Sequence, residues 1–209
     1  MKTILFQGDS ITDTGRSRDF DPDRGYGYAT LITSELTYLY PNKYITYNRG
    51  ASSSRIVDLY ARLKVGFINL KPDVISILIG VNSVWHELAH QNGVDADRYY
   101  DIYCMLIEDL KKALPQVKII ILEPFCLKGE ANEAWWEEFD SGVRLRAVKA
   151  KAVAEKYDLE FIPLQDKFET AAKTGGNACW LRDGVHPTAA GHELIKREWI
   201  KVFETMEKE

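Results

Sequence analysis

The sequence contains few cysteines: Cys104, Cys126 and Cys179 lie far apart and form no Cys-x-x-Cys spacing. An odd number of widely spaced cysteines argues against a disulfide framework and indicates reduced thiols. Because reduced thiols are typical of the cytosol, we expect a cytoplasmic protein.

Long apolar runs are also missing. At the N-terminus only about four apolar residues stand before polar ones intervene, whereas a secretory signal needs roughly 7–15. No apolar run elsewhere approaches the roughly 20 residues of a membrane-spanning helix. We therefore expect neither a signal peptide nor a membrane span.

Clustered positive charge is absent too. The net charge is -4, and no run of lysine and arginine exceeds two residues. Nucleic acids and anionic membranes are bound by clustered positive charge, so we expect neither as a partner. The 45% hydrophobic and 28% charged residues are typical of a soluble globular protein. The length predicts a single domain over residues 1–209, with a core that needs no metal or disulfide.

Apolar segments of two periods alternate along the chain. Five short runs are typical of strands, at residues 2–6, 43–48, 73–80, 117–122 and 159–164. Four other segments repeat apolar residues at helical spacing, at residues 27–40, 96–115, 141–158 and 189–206. Strands that alternate with helices predict an α/β fold, in which one parallel sheet lies between two layers of helices.

Polar residues follow several predicted strands, at the edge of a parallel sheet where ligands bind. Ser10 (in GDS) follows the first strand, Gly50 (in NRGA) the second, and Asn82 (in GVNS) the third. Asp183 and His186 (in DGVHP) precede the last helix. We expect all five residues at the same rim of the sheet.

These residues are the parts of an acyl-transfer site. Ser10 is the candidate nucleophile, His186 its base, and Asp183 the acceptor that fixes the imidazole tautomer. The backbone N–H groups of Ser10 and Gly50 and the amide of Asn82 are candidate donors to an oxyanion. Each motif alone is more often a turn or a helix cap, so the functional interpretation depends on their occurrence together.

The same motifs resemble the four conserved blocks of the SGNH (GDSL-type) hydrolases. The likeness covers nearly the whole chain and is strongest to the intracellular acetylxylan-esterase-like branch. The matching segments are GDSITDTGR (8–16), YLYP (38–41), NRGAS (48–52), KPDVISILIGVNSVW (71–85) and DGVHPTAAGH (183–192). The resemblance implies a flavodoxin-like three-layer α/β/α sandwich with a five-stranded parallel sheet. It also implies a triad of Ser10, Asp183 and His186, an oxyanion hole of Ser10, Gly50 and Asn82, and no metal or cofactor.

One position departs from the family pattern. The family usually has an aspartate directly after the oxyanion asparagine, and this chain has Ser83. A serine makes fewer and weaker hydrogen bonds than a carboxylate. We expect the oxyanion hole to survive, with at most a small loss of rate from a less firmly held Asn82.

Residues 86–90, HELAH, match the zinc motif His-Glu-x-x-His, in which Glu87 would be the general base. A zinc hydrolase is therefore an alternative to the serine mechanism. The extended motif would need a third ligand at Ala96, which cannot supply one, so only the adjacent Asp97 is left as a candidate; a zinc mechanism also gives Ser10 no role. We expect Trp85 and His86 to line the acyl or leaving-group side of a serine esterase site.

Trp135 and Trp136 stand among glutamates in the long connection after the fourth strand. Aromatic rings beside carboxylates are typical of sugar-binding surfaces, whereas the alternative is packing under the loop or against another subunit. The sequence leaves both alternatives open.

The sequence therefore predicts a serine esterase that removes small acyl groups, above all acetyl, from carbohydrate hydroxyls through an acyl-enzyme. A broad lipolytic esterase, lysophospholipase or thioesterase of the same family is an alternative. A non-catalytic carbohydrate-binding relative is another, from a different functional class. The expected partner is a small ester or an oligosaccharide ester, and the sequence leaves a homo-oligomer open.

Overall fold

The computed structural model describes residues 1–208 and contains one five-stranded sheet. In chain order the strands are β1 (Lys2–Gly8), β2 (Tyr44–Asn48), β3 (Val74–Leu78), β4 (Lys118–Leu122) and β5 (Glu160–Ile162). Their order across the sheet is β2-β1-β3-β4-β5, and all neighbouring strands are parallel. The predicted α/β class and the five strands are confirmed.

Ten α-helices connect and cover these strands in the described part of the chain. They are α1 (Ser10–Asp13), α2 (Tyr28–Leu39), α3 (Ile56–Ala61), α4 (Leu63–Gly66), α5 (Val81–His90), α6 (Ala96–Ala113), α7 (Trp136–Tyr157), α8 (Gln165–Ala172), α9 (Asn177–Trp180) and α10 (Ala189–Met206). The four predicted helices correspond to α2, α6, α7 and α10, although α7 begins at Trp136 and not at residue 141. Within residues 1–208, none of the helices combines the length and the apolarity that spanning a membrane requires.

The sheet buries side chains on both faces, as expected of a parallel sheet between two layers of helices. On one face Ile4 and Phe6 of β1 pack with residues of α2 and α10, among them the fully buried Trp199. On the other face Leu5 of β1 and Ile75 of β3 pack with residues of α3, α6 and α7. Alternate residues of one strand thus enter different cores, which gives the three layers.

The register of the sheet brings the ends of β1, β2 and β3 to one edge. Gly8 at the end of β1 pairs with Leu78 at the end of β3, and Phe6 pairs with Asn48 at the end of β2. The segments that leave these three strands therefore start beside one another, and each carries one of the candidate site residues.

Candidate active site

Ser10 lies directly after β1, where the chain turns into the four-residue helix α1. The carboxylate of Asp9 caps this helix by accepting the N–H of Ile11 at 3.0 Å. A capping Asp before a serine is the ordinary helix start that the GDS motif predicts. The same turn leaves the hydroxyl of Ser10 at the edge of a cavity.

The structure brings Ser10, His186 and Asp183 into a continuous hydrogen-bonded row. Ser10 Oγ lies 3.0 Å from His186 Nε2, and His186 Nδ1 lies 2.7 Å from Asp183 Oδ2. The other carboxylate oxygen of Asp183 accepts the backbone N–H groups of Val185 at 3.0 Å and His186 at 2.8 Å. Burial alone would raise the pKa of Asp183, but the hydrogen bonds from His186 and Val185 outweigh it and lower that pKa. Asp183 is therefore ionised and holds the proton of the imidazole on Nδ1.

The loop that carries Asp183 and His186 is fixed by the segment after β4. The N–H of Leu127 donates to the carbonyl of Gly184 at 2.9 Å, and the N–H of Ala131 donates to that of Asp183 at 3.0 Å. Gly184 has a φ of 94°, and a Cβ there would lie 2.5 Å from the carbonyl oxygen of Leu127. Glycine is therefore required at this position. The glycine of DGVHP lets the loop adopt the conformation that holds Asp183 and His186 in place.

Two of the three predicted oxyanion donors, Ser10 and Asn82, line the cavity, and each has an N–H without an acceptor within residues 1–208. The N–H of Ser10 has no acceptor within residues 1–208. Asn82, in the first turn of α5, donates through Nδ2 to the carbonyl of Ser54 at 3.2 Å. Because an amide carries two N–H bonds, this contact anchors Asn82 and leaves its second N–H free for a ligand.

The structure corrects the prediction for Gly50. Its N–H already donates to Asn48 Oδ1 at 2.9 Å, and Gly50 does not line the cavity. A Cβ at Gly50 would lie 2.5 Å from the backbone nitrogen of Asp13, so this glycine allows close packing between two backbone segments. Ser53 lines the cavity, and its N–H has no acceptor in the described chain. Ser53 therefore supplies a second free backbone N–H, beside that of Ser10, and with the Asn82 amide these make three candidate donors.

Ser53 was not identified from the sequence because its signal is conformational. It has a φ of 65°, in the left-handed region that most side chains avoid. The carboxylate of Asp13 holds the preceding residue by accepting the N–H of Ser52 at 3.0 Å and its hydroxyl at 2.9 Å. Burial would raise the pKa of Asp13, but the hydrogen bonds from Arg18 and Ser52 lower it. A charged Asp13 therefore anchors the turn that presents the Ser53 N–H.

These groups surround a cavity of about 520 Å³, a size typical of small-molecule sites. Trp85 and His86 are among the residues that line it. The complete lining consists of Ser10, Ile11, Thr14, Gly15, Tyr26, Ser52, Ser53, Asn82, Trp85, His86, His90, Arg182, His186, Pro187 and His192. Most of these side chains are polar or aromatic.

Trp135 and Trp136 are not among the residues that line the cavity. The segment after β4 contacts the Asp183–His186 loop earlier, through Leu127 and Ala131, and the two tryptophans follow where α7 begins. Trp136 is partly buried against the core, and Trp135 is 37% exposed. The sequence left open whether these tryptophans bind sugar or pack against the protein, and Trp136 packs against the core.

Tyr26, in the segment RGYGY (24–28), is another aromatic residue that lines the cavity. It is 68% exposed although it is a large aromatic side chain. Its backbone is held by a hydrogen bond from its N–H to the carbonyl of Thr14 at 3.1 Å. An exposed ring at the mouth of a polar cavity is a surface on which a sugar ring can stack.

The zinc interpretation of HELAH has little support in the side-chain arrangement. Glu87, which would be the base, accepts the N–H of Gly93 through Oε2 at 2.9 Å and does not line the cavity. Within residues 1–208, no three His, Cys, Asp or Glu side chains are grouped so that they could hold a metal ion. His86 and His90 therefore have no third protein ligand of these types.

Ser83 does not take the place of the family's aspartate as a hydrogen-bonding partner. Its side chain is fully buried, and its hydroxyl has no partner in the described chain. Asn82 is held by the carbonyl of Ser54 instead. The departure from the family pattern therefore leaves an unsatisfied hydroxyl beside Asn82 but does not remove its anchor.

Comparison with known proteins gives matches over almost the entire chain. Residues 6–194 match the model of the GDSL-like lipase/acylhydrolase family. The acetylxylan esterase of Geobacillus stearothermophilus is 33% identical over 205 residues, which are 95% of this chain and 92% of that protein.

Solved structures match equally well. A Parabacteroides merdae protein of the GDSL-like lipase type superposes with a TM-score of 0.88 at 33% identity, over 96% of this chain and 94% of that one. A catalytic mutant of the Geobacillus stearothermophilus esterase gives a TM-score of 0.85 at 30% identity, over 96% and 93%. The catalytic mutants of that esterase include replacements of a serine, an aspartate and a histidine.

Proposed function

Because the chain belongs to the GDSL-like lipase/acylhydrolase family and is a carboxylic ester hydrolase, we propose that it removes acetyl groups from carbohydrate hydroxyls through an acyl-enzyme on Ser10. The observation that carries the proposal is the row Ser10–His186–Asp183 at the edge of the cavity. Similarity to an acetylxylan esterase supports the choice of acyl group and of alcohol.

In the first half of the reaction Ser10 Oγ attacks the ester carbonyl while His186 Nε2 accepts its proton. The negative charge that develops on the carbonyl oxygen is stabilised by the N–H groups of Ser10 and Ser53 and the free amide hydrogen of Asn82. His186 then donates the proton to the departing sugar oxygen, and the C–O bond of the ester breaks. The acetyl group is left on Ser10.

In the second half a water molecule takes the place of the sugar. His186 accepts a proton from that water, whose oxygen attacks the acetyl carbonyl bound to Ser10. The Ser10–acyl bond breaks, Ser10 regains its proton from His186, and acetate leaves. Asp183 stays ionised throughout and stabilises the imidazolium that forms twice in the cycle.

The lining of the cavity favours a short acyl group on a polar alcohol. Among the described residues, Ile11 and Pro187 are its only aliphatic side chains. A long acyl chain would need a continuous apolar surface, which this lining does not provide. Tyr26 and Trp85 offer rings for stacking, and Arg182 offers a charged donor to sugar hydroxyls.

The test is hydrolysis of p-nitrophenyl acetate, butyrate and octanoate, followed by release of acetate from acetylated xylo-oligosaccharides. We expect acetate to be the fastest of the three esters and octanoate the slowest. Ser10→Ala should lower kcat by about 10⁴ or more. The matched control is Ser53→Ala, which removes another serine hydroxyl of the cavity but keeps the backbone N–H.

Covalent labelling supplies an independent readout. A sulfonyl fluoride should modify Ser10 in the wild type and in Ser53→Ala, and the modified peptide is identified by mass spectrometry. Full activity of Ser10→Ala would refute the acyl-enzyme. Preference for octanoate would refute the acetyl specificity and favour a lipolytic esterase.

A further inference from the structure

The two histidines of the HELAH segment form a pair that ester hydrolysis by Ser10 does not use. His86 and His90 are four residues apart on α5, a spacing that places both side chains on the same face of a helix. Their ring centroids are 5.9 Å apart, with the ring planes at 87°. Both residues line the cavity that contains Ser10. None of the nitrogens of their two rings has a hydrogen-bond partner in residues 1–208.

This separation is close to that of two imidazoles on one metal ion. Zinc–nitrogen bonds of about 2.0–2.1 Å at a tetrahedral angle place the two ring centroids about 5 Å apart. The rings of His86 and His90 have to approach by less than about 1 Å to reach that value. His90 is exposed, so rotation of its side chain alone supplies the movement.

The last turn of α5, which carries His90, ends in a hydrogen-bonded cap. Gln91, at the end of α5, donates its N–H to the carbonyls of Glu87 and His86 in a left-handed cap, which fixes the last turn of the helix.

We propose that His86 and His90 bind a divalent transition-metal ion such as Zn²⁺, Ni²⁺ or Cu²⁺, and that an ion held there blocks the cavity to ester substrates. The two protein ligands leave the remaining coordination positions to water. The site is therefore weaker than a structural zinc site, which has four protein ligands, and a chelator empties it.

Blocking follows from the shared cavity, because His86, His90 and Ser10 all line it. A hydrated ion on His86 and His90 takes up part of the space that an ester and its alcohol group need. It does not turn the protein into a zinc hydrolase, because Glu87 is bound to the N–H of Gly93 outside the cavity. The inhibitory part rests on the proposed function of Ser10, whereas the binding part does not.

Metal binding is measured first without any substrate, by calorimetry on the intact protein with Mn²⁺, Co²⁺, Ni²⁺, Cu²⁺, Zn²⁺, Mg²⁺ and Ca²⁺ in turn. We expect one ion per chain and the affinity order Cu²⁺ > Ni²⁺ > Co²⁺ > Mn²⁺, as for nitrogen ligands generally. Mg²⁺ and Ca²⁺, which prefer oxygen ligands, should not bind at this site.

Variants assign the site. Loss of an outer-shell partner costs about 10–100-fold in metal affinity, so His90→Gln, which removes a direct ligand, should weaken Zn²⁺ binding at least as much. The matched control is the double variant His90→Gln/Gln91→His, which keeps the number of histidines but destroys their spacing; it should bind as weakly as the single variant. Cys179→Ser, which removes the exposed thiol, should bind Zn²⁺ like the wild type.

Inhibition is measured with p-nitrophenyl acetate, and each variant is compared with its own metal-free rate. We expect Zn²⁺ to inhibit the wild type and Cys179→Ser at the concentrations at which it binds, and EDTA to reverse this. His90→Gln should need at least tenfold more Zn²⁺. Wild-type affinity in His90→Gln, or loss of binding in Cys179→Ser, would overturn the proposed site. Binding without inhibition would overturn the block, and an inactive wild type that still binds Zn²⁺ would count against the esterase alone.

Discussion

Asp9 and His192 are buried ionisable groups whose titrations should change the stability of the protein in opposite directions. Asp9 is 2% exposed, and burial raises its pKa from 3.8 to about 6, against the N–H of Ile11 and the charges of His186 and Arg62. Between these two values the folded protein keeps a proton that the unfolded chain has lost. Stability from Asp9 is therefore present below pH 3.8 and is lost as the pH rises through about 6.

His192 behaves in the reverse way. It is 2% exposed, and burial, followed by the charges of Arg182 and His186, lowers its pKa from 6.5 to about 4. Its Nδ1 accepts the N–H of Tyr28 at 3.2 Å, which the neutral ring can do and the protonated ring cannot. Stability from His192 is therefore present above pH 6.5 and is lost as the pH falls through about 4.

The two effects are similar in size. At about 1.4 kcal/mol for each pH unit between the folded and unfolded pKa, each group changes the free energy of unfolding by about 3 kcal/mol. In the wild type they nearly cancel between pH 4 and pH 6.5. When one group is replaced, the free energy of unfolding should therefore show the pH dependence that the other group causes.

The perturbations are Asp9→Asn, which keeps the oxygen that caps Ile11, and His192→Asn, which keeps an acceptor for the N–H of Tyr28. Urea unfolding gives the free energy of each protein at pH 4, 5, 6 and 7. Relative to the wild type, Asp9→Asn should gain about 3 kcal/mol from pH 4 to pH 7, and His192→Asn should lose about 3 kcal/mol. Groups common to all three proteins cancel in this comparison. A difference between wild type and variant that does not change with pH would refute the reasoning.

Four further substitutions test the site. Asp183→Asn keeps the acceptor for the N–H groups of the loop but presents an amide to His186 Nδ1, so kcat should fall by about 10⁴ while urea unfolding changes little. Asn82→Ala should lower kcat by about 10²–10³ in steady-state kinetics, because one oxyanion donor is lost. Ser83→Ala removes an unsatisfied buried hydroxyl, so the free energy of unfolding should not fall by more than about 1 kcal/mol and kcat should not change; a large loss would mean that the hydroxyl has a partner. Gly50→Ala should lower the free energy of unfolding by about 1–3 kcal/mol, because its Cβ meets the backbone of Asp13.

Much of the fold could be predicted from the sequence because its strands and long helices differ in period. The continuously apolar β3 and β4 and the amphipathic α6 each carry a strong local signal. Helix α5 carries a weaker one, since it begins at the GVN motif and contains two histidines and a glutamate. Its helical form depends on tertiary packing: Ser83 and Val84 are buried, and Val84 contacts Gly142 of α7.

Some residues of the candidate site could likewise be predicted from the sequence, and others could not. Ser10, Asp183, His186 and Asn82 act through side chains whose chemistry is visible in the sequence, and the parallel sheet brings them to one edge. Arg182 has no motif of its own, and the cavity alone reveals it. Trp135 and Trp136 were singled out because glutamates surround them in the sequence. Residue types alone do not show where the segment between β4 and α7 runs, and it places both tryptophans outside the cavity lining.

Gly50 and Ser53 illustrate why backbone donors are harder to predict than side-chain donors. A glycine beside a site has two physical uses: it frees an N–H for a ligand, or it lets two backbones touch. At Gly50 the second use applies, since its N–H is already bonded to Asn48 and a Cβ would meet Asp13. Ser53 lines the cavity with a left-handed φ of 65°, and its N–H has no acceptor within residues 1–208, although the residue is not glycine. A backbone donor is therefore defined by its conformation and by the lack of an acceptor within the protein. Neither property can be predicted from the residue type.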